Sequence, residues 1–130
     1  MQPHDRLVVA VDLSRRDEIL RLVDDLHGVA GVFKIGLQAF IANGPPIVRE
    51  VVARGERVFL DLKIHDIPNT AAHAVAEAAS LGAFIATVHA AGGEAMLRAC
   101  AHDSLLVSTV TPVENAVRLA RLVQSAGLRG

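Results

Sequence analysis

Short apolar runs rich in β-branched residues alternate along this chain with longer segments whose apolar residues recur at helical spacing. Leu7 to Val11 reads as a first strand ending at Asp12, and Ser14, a good helix N-cap, precedes Ile19, Leu22, Val23 and Leu26 on one helical face. In a second unit the strand is Val32 to Gly36, and a helix opened by Pro45 and Pro46 runs through Ala53 to Gly55. Proline suits a first helical turn and glycine a C-terminal cap. A third unit has a strand from Arg57 to Lys63 and a helix capped by Thr70, with Ala72, Val75, Ala76 and Ala79 on its inner face and Gly82 as its stop. Ala83 to Val88 is a fourth strand, followed by a helix near Gly93 to Ala101. Leu105 to Val110 is a fifth strand, and the helix expected from Val113 to Ala126 carries Leu119, Leu122, Val123 and Ala126 as its buried stripe and stops at Gly127.

Five strands alternating with helices, each strand apolar on both faces, predict the α/β class with a parallel sheet. A doubly wound sheet and part of a (β/α)8 barrel both fit this pattern. The first strand is not followed by a Gly-rich phosphate loop, which argues against a dinucleotide-binding version. No linker or low-complexity tract interrupts residues 1–130, so a single domain is expected.

Composition narrows the functional classes. With 52% apolar and 21% charged residues the chain has the make-up of a folded globular domain. A formal charge of −1 without a Lys/Arg run supplies no attraction to nucleic acid or anionic lipid. Apolar runs fall short of the roughly 18 residues that cross a bilayer, and Leu7 to Val11 is too short for a signal peptide, so a cytoplasmic location is expected. The lone Cys100 has no intrachain disulfide partner and reads as a small buried apolar residue. His4, His27, His65, His73, His89 and His102 match no usual zinc spacing, so no metal is expected. Arg15, Arg16, Arg118 and Arg121 belong on solvated helix faces.

Charge interrupts the strands at particular places. Asp12, Lys34, Asp61, Lys63 and His89 fall at or near strand C-terminal ends, the edge that holds the active site in parallel α/β folds. The alternation of side chains along a strand puts Asp61 and Lys63 on one face, with Leu62 and Ile64 on the other. A lysine held among carboxylates stays protonated and can donate a proton, while a fixed carboxylate repels a substrate carboxylate beside it. At about 4 Å and an effective dielectric near 20 that repulsion is roughly 4 kcal/mol, on the order of a thousandfold in rate if relieved at the transition state. Such a pair suits loss of CO2, although the spacing alone fits a structural ion pair equally well.

The segment Phe59-Leu60-Asp61-Leu62-Lys63-Ile64-His65-Asp66-Ile67-Pro68-Asn69-Thr70 closely resembles the signature of orotidine 5′-monophosphate decarboxylases. Val9-Ala10-Val11-Asp12, Phe33-Lys34-Ile35-Gly36-Leu37 and Thr87-Val88-His89-Ala90 with Gly92-Gly93 are similar to that family's first, second and fourth strands, in the same order. The resemblance implies a TIM-type (β/α) barrel, here incomplete at about five units, and a homodimer with a shared active site. It implies that Lys63 protonates pyrimidine C6, that Asp61 crowds the departing carboxylate, and that Lys34 and Asp66 complete an alternating charge network. Asp66 and Thr70 would act across the dimer interface, and Asp12 and Lys34 would meet the ribose hydroxyls with His89 nearby. The substrate would be orotidine 5′-monophosphate, converted to uridine 5′-monophosphate and CO2 in pyrimidine synthesis without any cofactor. His65 is expected to orient the loop after the third strand by hydrogen bonding.

The sequence also departs from that family. Val110 runs directly into Thr111-Pro112-Val113-Glu114-Asn115, where members carry a further segment that meets the pyrimidine. Gly127-Leu128-Arg129-Gly130 falls about where a sixth strand would begin, and a complete barrel needs about 250 residues. The late phosphate-binding loop is therefore expected to be absent, which would lower kcat/KM steeply because remote binding energy drives such reactions. The open sheet edges of five strands would invite pairing with another chain. The alternatives are a non-catalytic half-barrel fragment and a related phosphosugar lyase or aldolase. The longer string from His65 to Thr70 favours the decarboxylase over the latter.

Overall fold

The computed structural model describes residues 3–110 and 116–128. Its strands are β1 (Val8–Val11), β2 (Val32–Gly36), β3 (Val58–Ile64), β4 (Ile85–His89) and β5 (Leu106–Val110). Its α-helices are α1 (Arg16–Asp25), α2 (Leu37–Asn43), α3 (Pro45–Ala53), α4 (Pro68–Ser80), α5 (Glu94–Ala99) and α6 (Ala116–Ser125), with 3-10 turns at Pro3–Arg6 and Ala90–Gly92. The strands form one sheet in chain order, β1-β2-β3-β4-β5, and pair in parallel register where β1 meets β2, β2 meets β3 and β4 meets β5. This order decides what periodicity left open. A doubly wound sheet reverses its strand order at a switch point, whereas a (β/α) barrel adds each strand beside the last. The chain is of the partial-barrel kind.

Two compact units make up the chain, Met1–Asp61 with Leu81–Phe84, and Leu62–Ser80 with Ile85–Gly130. In the first, α1 and α3 bury Ile19, Val23, Ile47, Val48 and Val51, and the strands bury Val11, Phe33, Ile35, Val58 and Leu60. Arg16 on α1 forms a two-pronged ion pair with Glu50 on α3, and Arg54 reaches Asp24 at 2.9 Å, so the outer faces of these two helices are also joined. Gly31 lets the N-terminal turn lie close, since a Cβ there would sit 2.5 Å from the His4 carbonyl oxygen. In the second unit Ala71, Val75 and Ala78 of α4, Met96 and Leu97 of α5, Ala86 and Val88 of β4, Val107 of β5 and Leu119 of α6 are buried.

Several local expectations are corrected. Ser14 is not the cap of α1: Arg15 holds that position, because the Ser14 hydroxyl accepts from Gln38 Nε2 and the Ser14 carbonyl from Asn43 Nδ2, each at 3.0 Å. Those donors belong to α2, a helix the periodicity did not announce, since only Ala39 of its residues is buried while Leu37 and Ile41 are exposed. Thr70 lies inside the first turn of α4, which starts at Pro68, and the helix turns Ala71, Val75 and Ala78 inward where Ala72, Val75, Ala76 and Ala79 were expected. On α1 Leu20 is buried and Leu22 is only half-buried, as is Leu26 just after the helix. On α6 Leu119 is buried, with Leu122 and Val123 half-buried, and Ala126 just after the helix is buried. The start of that helix expected at Val113, and the junction after Val110, lie outside the described residues.

Candidate active site

Three of the sequence-predicted polar residues sit at strand C-terminal ends: Asp12 follows β1 directly, Lys63 is the penultimate residue of β3, and His89 is the last residue of β4. Asp61 is the middle residue of β3. Lys34 is central in β2, and its long side chain covers the remaining distance to that edge.

In the first unit, the β2–β3 register places Gly36 opposite Asp61, two residues beyond Lys34. The Lys34 ammonium stands 3.6 Å from Asp61 Oδ2, with 25% and 11% of the two side chains exposed. A carboxylate so little hydrated is stable only beside compensating charge. Gly36 lies beside this pair. A Cβ at Gly36 would lie 3.9 Å from both Lys34 Nζ and Asp12 Oδ1, so the three residues face a common point. The Asp12 side chain there is exposed, open to a polar ligand.

In the second unit, Lys63 is exposed and has φ 53°, making it the non-glycine residue with positive φ among the described residues. An L-residue enters this left-handed region at a cost of about 1–2 kcal/mol, and such strain collects where a side chain must be aimed. The Lys63 N–H donates to the Thr87 hydroxyl at 3.0 Å. The His65 ring packs on that of His89, centroids 5.2 Å apart and planes inclined by 38°, so His65 meets the end of β4 by a ring contact where a hydrogen bond was expected. Asp66 and Thr70 are exposed. The Asp66 carboxylate accepts the Ile67 N–H at 2.7 Å and so braces the turn into α4.

Sequence reasoning did not single out Thr87. Its signal was present: one hydroxyl inside the apolar run Ile85-Ala86-Thr87-Val88, two residues before His89, is a polar group on the strand's His89-bearing side. Thr87 is 3% exposed, so its hydroxyl is a buried group that requires a partner.

Comparison with known proteins adds a lineage to this geometry. The family model described as "Orotidine 5'-phosphate decarboxylase / HUMPS family" matches residues 5–116. An orotidine 5′-phosphate decarboxylase of Enterobacter sp. is 43% identical over an alignment covering 95% of this chain and 61% of that protein. One of Salmonella newport is 41% identical with the same coverages. The chain thus spans about 61% of the length of the curated relatives it matches. The Enterobacter alignment runs over 149 positions, more than the 130 residues present here, so the relative carries residues within the aligned span that have no counterpart in this chain. Among solved structures, an uncharacterized conserved protein from Geobacillus kaustophilus superposes with a TM-score of 0.86 at 29% identity, over 95% of this chain and 71% of that one.

Proposed function

The chain belongs to the orotidine 5′-phosphate decarboxylase / HUMPS family, and from that premise we propose that it carries the charge-bearing part of a carboxy-lyase site acting on orotidine 5′-monophosphate. The observation that carries this reading is the run Asp61-Leu62-Lys63 on β3, with Asp61 buried against the Lys34 ammonium and Lys63 set at a positive φ.

The chemistry follows from those groups. The bond from pyrimidine C6 to the carboxylate breaks, CO2 departs, and the electron pair stays on C6. The Lys63 ammonium supplies the proton that quenches this carbanion, and its positive charge stabilises the developing negative charge beforehand. Asp61, held as a carboxylate next to Lys34, repels the substrate carboxylate, a repulsion that disappears as neutral CO2 leaves. Asp12 and Lys34 take the ribose hydroxyls, which suits their common approach to Gly36. His89 lies at the same end of its strand and borders the substrate. The reaction needs no cofactor in this scheme and yields uridine 5′-monophosphate for pyrimidine synthesis.

Asp66 and Thr70 serve the site of a second copy in this proposal, so that residues 1–130 act as one partial-barrel domain in a homodimer. Their exposure, together with that of Ile67 at 65%, supports the assignment. Among the described residues no helix is long and apolar enough to cross a membrane.

Ultraviolet absorbance of orotidine 5′-monophosphate incubated with the purified chain tests the reading, because loss of the carboxylate changes the ring chromophore. Turnover that disappears in Lys63→Ala is expected. A folded chain without turnover refutes catalysis and leaves a non-catalytic fragment, while turnover of a sugar phosphate alone points to a lyase of the related kind. Size-exclusion with light scattering tests the shared site, and a clean monomer removes Asp66 and Thr70 from it.

A further inference from the structure

We infer that Thr87 is a positioning residue for Lys63: its buried hydroxyl fixes the left-handed backbone of residue 63 and thereby the direction of the ammonium. The inference rests on the reading of Lys63 as the proton donor. It adds a residue on a different strand from the lysine it serves.

Three observations lead to it. Lys63 occupies a region of backbone space that favours glycine, yet a glycine would carry no ammonium, so the strained conformation must be held by its surroundings. The holding bond is visible, since the Lys63 N–H donates to Thr87 Oγ1 at 3.0 Å. Thr87 is almost wholly buried in a strand whose neighbours at Ala86 and Val88 are apolar, a setting in which valine would fill the same volume without a hydroxyl to satisfy. A threonine there supplies an acceptor to the N–H of the non-glycine residue that has positive φ among the described residues.

A second fastening lies two residues further along the chain from each partner, at His65 just past β3 and His89 at the end of β4. His65 packs on His89, and His89 follows Thr87 by two positions, so both contacts come from one side of β4. Residue 63 is therefore tied at its own N–H and again just beyond it. A residue whose backbone is fixed at two points aims its Cα–Cβ bond in one direction and so sets where the ammonium can reach, and catalysis by proton transfer falls steeply when the donor is displaced by even about 1 Å.

The sequence offers a direct readout, for it contains two lysines only, Lys34 and Lys63. In the full chain labelled with 13C at lysine Cε, two signals appear, and the Lys63→Ala spectrum identifies which belongs to residue 63. Thr87→Val is expected to move the Lys63 signal, leave the Lys34 signal in place, and speed deuterium exchange of the Lys63 amide by about tenfold. Thr87→Ser, which keeps the hydroxyl, is expected to restore both. In the decarboxylation assay Thr87→Val is expected to lower kcat by about tenfold or more with KM within about threefold, and Thr87→Ser to recover most of the loss.

A folded Thr87→Val chain with unchanged lysine signals and amide exchange overturns the inference. So does a kcat loss that Thr87→Ser fails to relieve. Should the valine variant not fold, the unsubstituted chain still decides, because a Lys63 amide exchanging as fast as one in a free peptide refutes the hydrogen bond outright. Absence of turnover in the unsubstituted chain would count against the proposed function alone, since the exchange and lysine measurements test the positioning without substrate.

Discussion

Removing the Lys34 ammonium should expose how strongly the buried Asp61 carboxylate depends on it. At 3.6 Å and an effective dielectric near 20, the attraction between the two unit charges is about 4.6 kcal/mol. Part of that is offset in the folded state, because both groups lose water: Asp61 is 8% exposed, and a quarter of the Lys34 side chain remains accessible. Charged groups in contact typically couple by about 0.5–3 kcal/mol, so a net coupling of about 2 kcal/mol is expected. The perturbation is Lys34→Met, which keeps the length and apolar stem of the side chain, combined with Asp61→Asn, which keeps the shape of its partner. Urea unfolding of the unsubstituted chain, both single variants and the double variant forms a double-mutant cycle that isolates the pair from their other contacts. Lys34→Met alone should destabilise by about 2–3 kcal/mol, because it leaves a carboxylate in a poorly hydrated place. The double variant should regain most of that loss. A coupling below about 0.5 kcal/mol would refute the view that these charges hold one another in place, since that is the range of exposed surface pairs.

The strain at Lys63 makes a separate prediction: Lys63→Gly should be more stable than Lys63→Ala by about 1 kcal/mol in urea unfolding, because glycine adopts φ 53° without the steric penalty alanine meets. Equal stabilities would mean the backbone relaxes once the ammonium is gone, and neither variant should turn over orotidine 5′-monophosphate. Burial at the end of α5 pushes the Cys100 thiol above its ordinary range, so the folded chain retains that proton to higher pH than the unfolded chain does. Stability from this group is full below the thiol's ordinary pKa and is lost as pH rises towards the folded value. Unfolding midpoints that fall between neutral and alkaline pH in the native chain, and fall less in Cys100→Ala, are the expected result. Alkylation of the thiol should be slow until the chain is unfolded.

Much of the site was legible because charge inside an apolar strand is costly and therefore conspicuous. Asp61 and Lys63 stand out on Val58–Ile64 for that reason, and Lys34 on Val32–Gly36 likewise, and two of the three, Lys34 and Asp61, lie 3.6 Å apart. Thr87 passed unnoticed because threonine is common in strands and its burial depends on the neighbours of β4. The Ser14 cap failed for a related reason, since its hydroxyl was claimed by Gln38, 24 residues away.

Side-chain period and local turn chemistry suffice to set the alternation of strands and helices, the bounds of Val32–Gly36 and Pro45–Ala53, and the presence of charge within the strands. Tertiary structure alone decided the chain-order sheet, the existence of α2, the inward face of α4 and the left-handed backbone at Lys63. Those features depend on which distant groups meet. A strand's pattern records that it is buried but not beside which strand, and local propensity disfavours a lysine at positive φ.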